Sequence, residues 1–84
     1  MTELKDTVEL MTSEDYKERF KAEYWQLKIR LEKLHKMFVQ NEAETLSFML
    51  KTPLYHLRMQ EEAMGKYLEM LELRAKLEGI DLDN

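Results

Sequence analysis

The 84 residues hold one small domain, and a chain this short buries a smaller share of its surface than a typical domain does. With no cysteine, disulfides and thiolate metal sites are excluded as supplements to a small core, which leaves self-association. The net charge of −4 argues against non-specific binding of DNA or RNA, which needs many Lys and Arg to neutralise phosphates.

The composition is that of a folded helical protein: 44% of residues are hydrophobic, and two Gly and one Pro leave little for β-turns. No apolar run approaches the roughly 20 residues needed to cross a bilayer. The start, MTELKDTVEL, lacks the basic and apolar regions of a secretion signal, so a cytoplasmic protein is expected. Neither repeats nor a second domain are expected in residues 1–84.

Residues 1–12 predict a short N-terminal helix on Leu4, Val8 and Met11. A helix under about 12 residues is marginal alone, so it is expected to lie against the long helix or a neighbouring subunit. Thr12 and Ser13 supply a helix start, with Glu14 and Asp15 at the positive end of the dipole. From there the first long helix is predicted over 13–41, with Asn41 as its cap.

Its organising feature is an apolar stripe of Tyr16, Phe20, Leu27, Leu31, Leu34 and Phe38, which falls on one side at about 100° per residue. Trp25 and Ile29 project from roughly the opposite side, so this helix asks to be covered twice. The N-terminal segment is one available cover and a sister subunit the other.

Residues 42–52 read as an ordered connection, since Leu46, Phe48, Met49 and Leu50 are apolar. Thr52 and Pro53 start the second long helix, predicted over 53–78, and Gly79 stops it ahead of a tail over 79–84. Leu54, Leu57, Met64, Leu68, Leu71 and Ala75 share a face that Glu61 interrupts. Glu61 either reaches solvent at the stripe's edge or pairs with Arg or Lys of the first helix or another subunit. Gly65 stands in a helix interior, where glycine weakens a helix, so close approach of another backbone is one reason for it.

The expected architecture is all-α: an antiparallel hairpin of two long helices with a short N-terminal helix, assembled as a homo-oligomer. Apolar surface left at Trp25, Ile29, Tyr67 and Leu73, with Gly65 beside it, marks the expected interface, built on twofold axes.

These residues do not readily make an enzyme. His35 and His56 belong to no metal-binding pattern, Ser13 and Ser47 have no partner for nucleophilic chemistry, and no glycine-rich phosphate loop occurs. The acidic residues of the second helix lack the Glu-x-x-His pairs of a metal bundle. Neither a metal nor a cofactor is expected.

One local feature points to a ligand. From Lys17 to Lys36 seven basic residues face three acidic ones, and Arg19, Glu23, Arg30 and Lys33 flank one side of the apolar stripe. Arginine forks and a lysine point charge suit phosphate groups, and a nearby aromatic face suits a base. Ordinary surface ion pairs with Glu23 and the second helix are the competing explanation.

The string Tyr16-x-x-Arg19-x-x-x-Glu23-x-x-x-Leu27-x-x-Arg30-x-x-Lys33-Leu34, followed by Gln60-x-x-Ala63-Met64-x-x-Tyr67-x-x-x-Leu71-x-x-Arg74, resembles the small helical-hairpin proteins of bacteriophages. These are related to the hairpin domain of anti-CBASS and anti-Thoeris nucleotide sponges. The resemblance implies immune evasion in the host cytoplasm by sequestration. Such sponges assemble as oligomers, often hexamers, and hold cyclic oligonucleotides between protomers without cleaving them. Carried over by position, Tyr16 would stack on a base, and Arg19, Arg30 and Lys33 would meet phosphates. Two features depart from that pattern, Glu61 in the apolar stripe and the apolar linker SFMLKTP. The reading of a different class is a helical interaction module, such as an inhibitor of a host defence protein.

Overall fold

The computed structural model describes residues 1, 3–46 and 48–83. A 3-10 turn, Leu4–Thr7, runs into a one-turn helix α1, Val8–Met11. Two long helices follow, α2 over Tyr16–Glu42 and α3 over Leu54–Glu78. Among the described residues there is no strand. The helices are antiparallel: Tyr16 at the start of α2 meets Glu78 at the end of α3, and Glu42 at the end of α2 meets Arg58 near the start of α3.

Local chemistry sets the boundaries. Thr12 and Ser13 do not begin α2, because the Thr12 hydroxyl donates back to the Val8 carbonyl and the Ser13 hydroxyl accepts from the Asp15 amide. Asp15 is the cap instead, its carboxylate accepting from the Lys17 amide at 2.9 Å. At the far end α2 runs one residue past Asn41 to Glu42. Pro53 is the residue before α3, and its carbonyl accepts from the His56 and Leu57 amides. Gly79 ends α3 in the left-handed conformation, φ 69°, while the Ile80 amide bonds to the Ala75 carbonyl. The connection between α2 and α3 holds no helix among its described residues, and Phe48 and Met49 are exposed. Ser47, within the apolar linker, and Asn84, at the end of the tail, lie outside the described residues.

The core is unevenly distributed. Phe20, Tyr24 and Leu27 of α2 pack with Leu71 and Ala75 of α3 and with Ile80 of the tail, and Trp25, Met64, Leu68 and Leu82 close around them. Nearly all of this lies where α2 begins and α3 ends. Both chain ends contribute. On one side the N-terminal segment packs against α2, burying Thr7 completely, and Gln26 donates to the Thr7 hydroxyl at 3.0 Å. Ala22 and Ile29, one turn either side of Gln26, are buried with it. On the other side the tail folds back, and the Trp25 indole donates to the Leu82 carbonyl at 2.8 Å. The face expected to need a sister subunit is thus divided, Ile29 on the side of the N-terminal segment and Trp25 under the tail. Among the interface candidates, Ile29 is buried within its own chain, Trp25 and Gly65 are half-buried, and Tyr67 remains exposed.

Toward the connection the same hairpin is thin. Of the large apolar side chains there, Phe38 alone among the described residues is buried, under the Arg58 guanidinium at 4.0 Å from its ring. Leu31, Leu34, Met37, Leu57 and Met64 are half-buried, and Val39, Tyr55 and Met59 are exposed.

Candidate functional site

Two of the grooves in the thin half run between α2 and α3 and differ in their lining. The larger, 970 Å³, lies between Leu31, His35 and Val39 of α2 and Arg58, Glu61 and Gly65 of α3. Its rim carries three carboxylates, Glu32, Glu61 and Glu62. Glu61 is half-buried and paired twice, with Arg58 of its own helix at 3.7 Å and with His35 of α2 at 3.4 Å. Neither sequence alternative for Glu61 holds in its simple form, since its partner on the first helix is an imidazole and its cation comes from one turn away.

The second groove, 530 Å³, is chemically different. Arg30, Lys33, Lys36, Met37 and Gln40 of α2 line one wall, Gln60 and Met64 of α3 the other, and Phe48 of the connection stands at the end. The spacing explains the α2 wall, because residues 30, 33, 37 and 40 recur at three and four and fall on one face. Arg30 to Gln40 spans about 15 Å along the helix. No carboxylate lines this groove, and Arg30, Lys33 and Lys36 have no ion-pair partner among the described residues. Three uncompensated cations beside two side-chain amides and an exposed phenyl ring can hold phosphate oxygens by charge-assisted hydrogen bonds and an aromatic base by stacking. For an anion, the smaller groove is therefore the better site, since the carboxylates of the larger one repel it.

The four ligand candidates separate into two places. Arg30 and Lys33 share the cationic groove. Tyr16 lies about 21 Å up the helix from Arg30, where its hydroxyl donates to Glu78 and accepts from Arg74, both at 2.9 Å. Arg19 is turned back onto the start of its helix, its guanidinium donating to the Ser13 carbonyl at 2.8 Å. The Arg74 guanidinium also lies 4.9 Å from the Phe20 ring. Local desolvation lowers its pKa, but the Glu78 hydrogen bond and the charge and hydroxyl of Tyr16 outweigh that and hold it above its ordinary value. Tyr16, Phe20, Arg74 and Glu78 thus staple the two helices at the end away from the connection.

Sequence reasoning missed Lys36, Gln40 and Phe48. Lys36 was visible as the next basic residue after Lys33. Phe48 carried no positional signal, because its place beside α2 depends on the path of an irregular connection. Among the described residues no group of three His, Cys, Asp or Glu side chains is arranged to hold a metal ion. No helix is long and apolar enough to cross a membrane, among those same residues.

The Sequestin family model matches residues 14–77, that is, nearly all of α2 and α3 together with the connection. No curated protein and no solved structure matches the chain.

Proposed function

The chain belongs to the Sequestin family, and from that premise we propose that it binds and sequesters cyclic oligonucleotide second messengers, di- or trinucleotides, without cleaving them. The family name is consistent with a sequestering function. The observation that carries the finer reading is the groove of Arg30, Lys33 and Lys36, cationic and free of carboxylates in a protein that is acidic overall. A cyclic nucleotide offers what those side chains recognise: phosphates for the guanidinium and ammonium groups, and a flat base for Phe48. Gln40 and Gln60 supply neutral donors and acceptors for base edges or ribose hydroxyls.

A sequestering protein needs slow release and no turnover, and rigid helices suit that by lowering the ordering cost of binding. In this reading the protein is phage-encoded, acts in the host cytoplasm, assembles as a homo-oligomer, and blunts CBASS- or Thoeris-type signalling by removing the messenger. Tyr16 and Arg19 act in folding, at the staple and the start of α2, while Arg30 and Lys33 act on the ligand.

A panel of cyclic di- and trinucleotides tests this. A ligand present at 100 times its dissociation constant stabilises the fold by about 2.7 kcal/mol, so the binder is read as a rise in Tm. It should be recovered chemically intact after denaturation. A protein-binding module is the second reading, favoured by exposed Val39, Phe48, Met49 and Met59. No Tm shift with any nucleotide, together with stoichiometric capture of a host protein, would establish that reading instead. Degraded nucleotide would make the protein an enzyme.

A further inference from the structure

Beyond Phe48 the cationic groove meets a third cavity, of 410 Å³, bounded by the connection, by Met37 of α2 and by Leu57 of α3. Met37 and Phe48 line both. The further walls are apolar, Met49, Leu50 and Leu57, and the polar lining is Lys51 and Thr52, with no carboxylate. The volume falls within the range of about 300–1,000 Å³ typical of small-molecule sites.

The two cavities differ as the two parts of a nucleotide differ. Lys33 and Lys36 stand within about 6 Å of Met37 along α2, so a ribose can bridge a phosphate held by their ammonium groups to a base lying beyond Met37. A base has flat apolar faces and a polar edge. Phe48 offers a ring for such a face to stack on, and the thioethers of Met37 and Met49 are polarisable groups that pack against aromatic rings. Met49 is 89% exposed, so a base that covers it removes apolar surface from water.

We propose that this third cavity is a base subsite, which selects its ligand by stacking and size and not by hydrogen bonds to the base edge. The inference rests on the reading of the cationic groove as a cyclic-nucleotide site. The groove holds the phosphates, the cavity takes one base, and Gln40 and Gln60, which line the groove but not the cavity, meet the ribose. A purine covers more of Phe48 and the methionines than a pyrimidine does. An apolar pocket discriminates between similar ligands by about 10–200-fold, whereas one built to pair with a polar group reaches about 10⁴-fold or more. Adenine and guanine ligands therefore bind alike to within about a hundredfold, and both bind ahead of uracil.

Calorimetric titration with the cyclic di- and trinucleotides of adenine, guanine and uracil tests the selection, and methionine methyl resonances test the place. At a given ring size, wild type should bind the purine ligands about tenfold or more tighter than the uracil one. The Met49 methyl should move upfield under the ring current of the bound base, while that of Met70, exposed on α3 and lining neither cavity, does not move. Thr52→Trp, at an exposed position, fills the cavity and should bring purine and uracil affinities together. Arg30→Ala should weaken every ligand and keep their ratio. A purine ligand that binds with Met49 unmoved, a Thr52→Trp protein with the wild-type ratio, or a preference between adenine and guanine above about a hundredfold would overturn the base subsite and leave sequestration standing. Binding of none of the six compounds would overturn the subsite together with the sequestering reading.

Discussion

The two halves of this hairpin are made of the same two helices, yet one has a closed core and the other does not. Where α2 begins and α3 ends, the N-terminal segment covers one flank and the tail the other, so that Phe20, Leu71 and Ala75 are nearly inaccessible. Toward the connection no such cover is found among the described residues, and grooves open between the helices. Two helices alone do not enclose a core; a third and fourth piece of chain must close it. The N-terminal segment and the tail stabilise one half, and the other half is left with open grooves.

The largest expected effect tests the asymmetry directly. Leu71→Ala in the closed half should destabilise the protein by about 2–5 kcal/mol, the range for a buried leucine that leaves a cavity. Leu57→Ala, half-buried near the connection, should cost less than half as much by urea denaturation. Equal costs would mean that the open half is covered in solution by something that packs as well as a core does.

Next comes the ligand. Arg30→Ala should lower nucleotide affinity by tenfold or more, since a hydrogen bond to a charged group is worth about 1.5–3 kcal/mol, while Tm without ligand stays put. Arg19→Ala, on the same helix but in the closed half, should leave affinity unchanged in the same calorimetric titration. A loss with Arg19→Ala would move the site to the other end of the hairpin.

Trp25→Phe keeps most of the packing but removes the bond to the Leu82 carbonyl, leaving an acceptor without its donor at a cost of about 1–2 kcal/mol. Amide exchange should accelerate at Ile80, whose own bond to Ala75 holds the tail in place. Smallest is Gly79→Ala, which forces a side chain into the left-handed conformation and should cost about 1 kcal/mol in a thermal melt.

Much of the closed half was legible because its signals are local and periodic. Phe20 and Leu27 on α2, and Leu71 and Ala75 on α3, follow from helical spacing, and Gly79 from the requirement of a left-handed stop. The partner of Trp25 was not legible. Ile80 and Leu82 lie beyond the helix, where no period says which way an apolar pair will turn, and only the space beside α2 decides it. The candidate site was legible in part for a related reason. Spacing put Arg19, Arg30 and Lys33 in one row, but Arg19 donates to the Ser13 carbonyl just ahead of its helix and is drawn away. Phe48 joins the cationic groove through the path of the connection, which sequence spacing does not encode. The family match, ending at residue 77, covers the hairpin and excludes both the N-terminal segment and the tail, the two pieces that close the core.

Trp25 is the chain's one tryptophan, held edge-on to Tyr24 with ring centroids 5.4 Å apart and the Lys28 ammonium 5.0 Å from its own. The protein's indole emission therefore originates entirely beneath the tail, away from either groove. A fluorescence titration would follow unfolding faithfully while remaining nearly blind to a guest beside Phe48, so an unquenched signal is no sign that the cationic groove is empty.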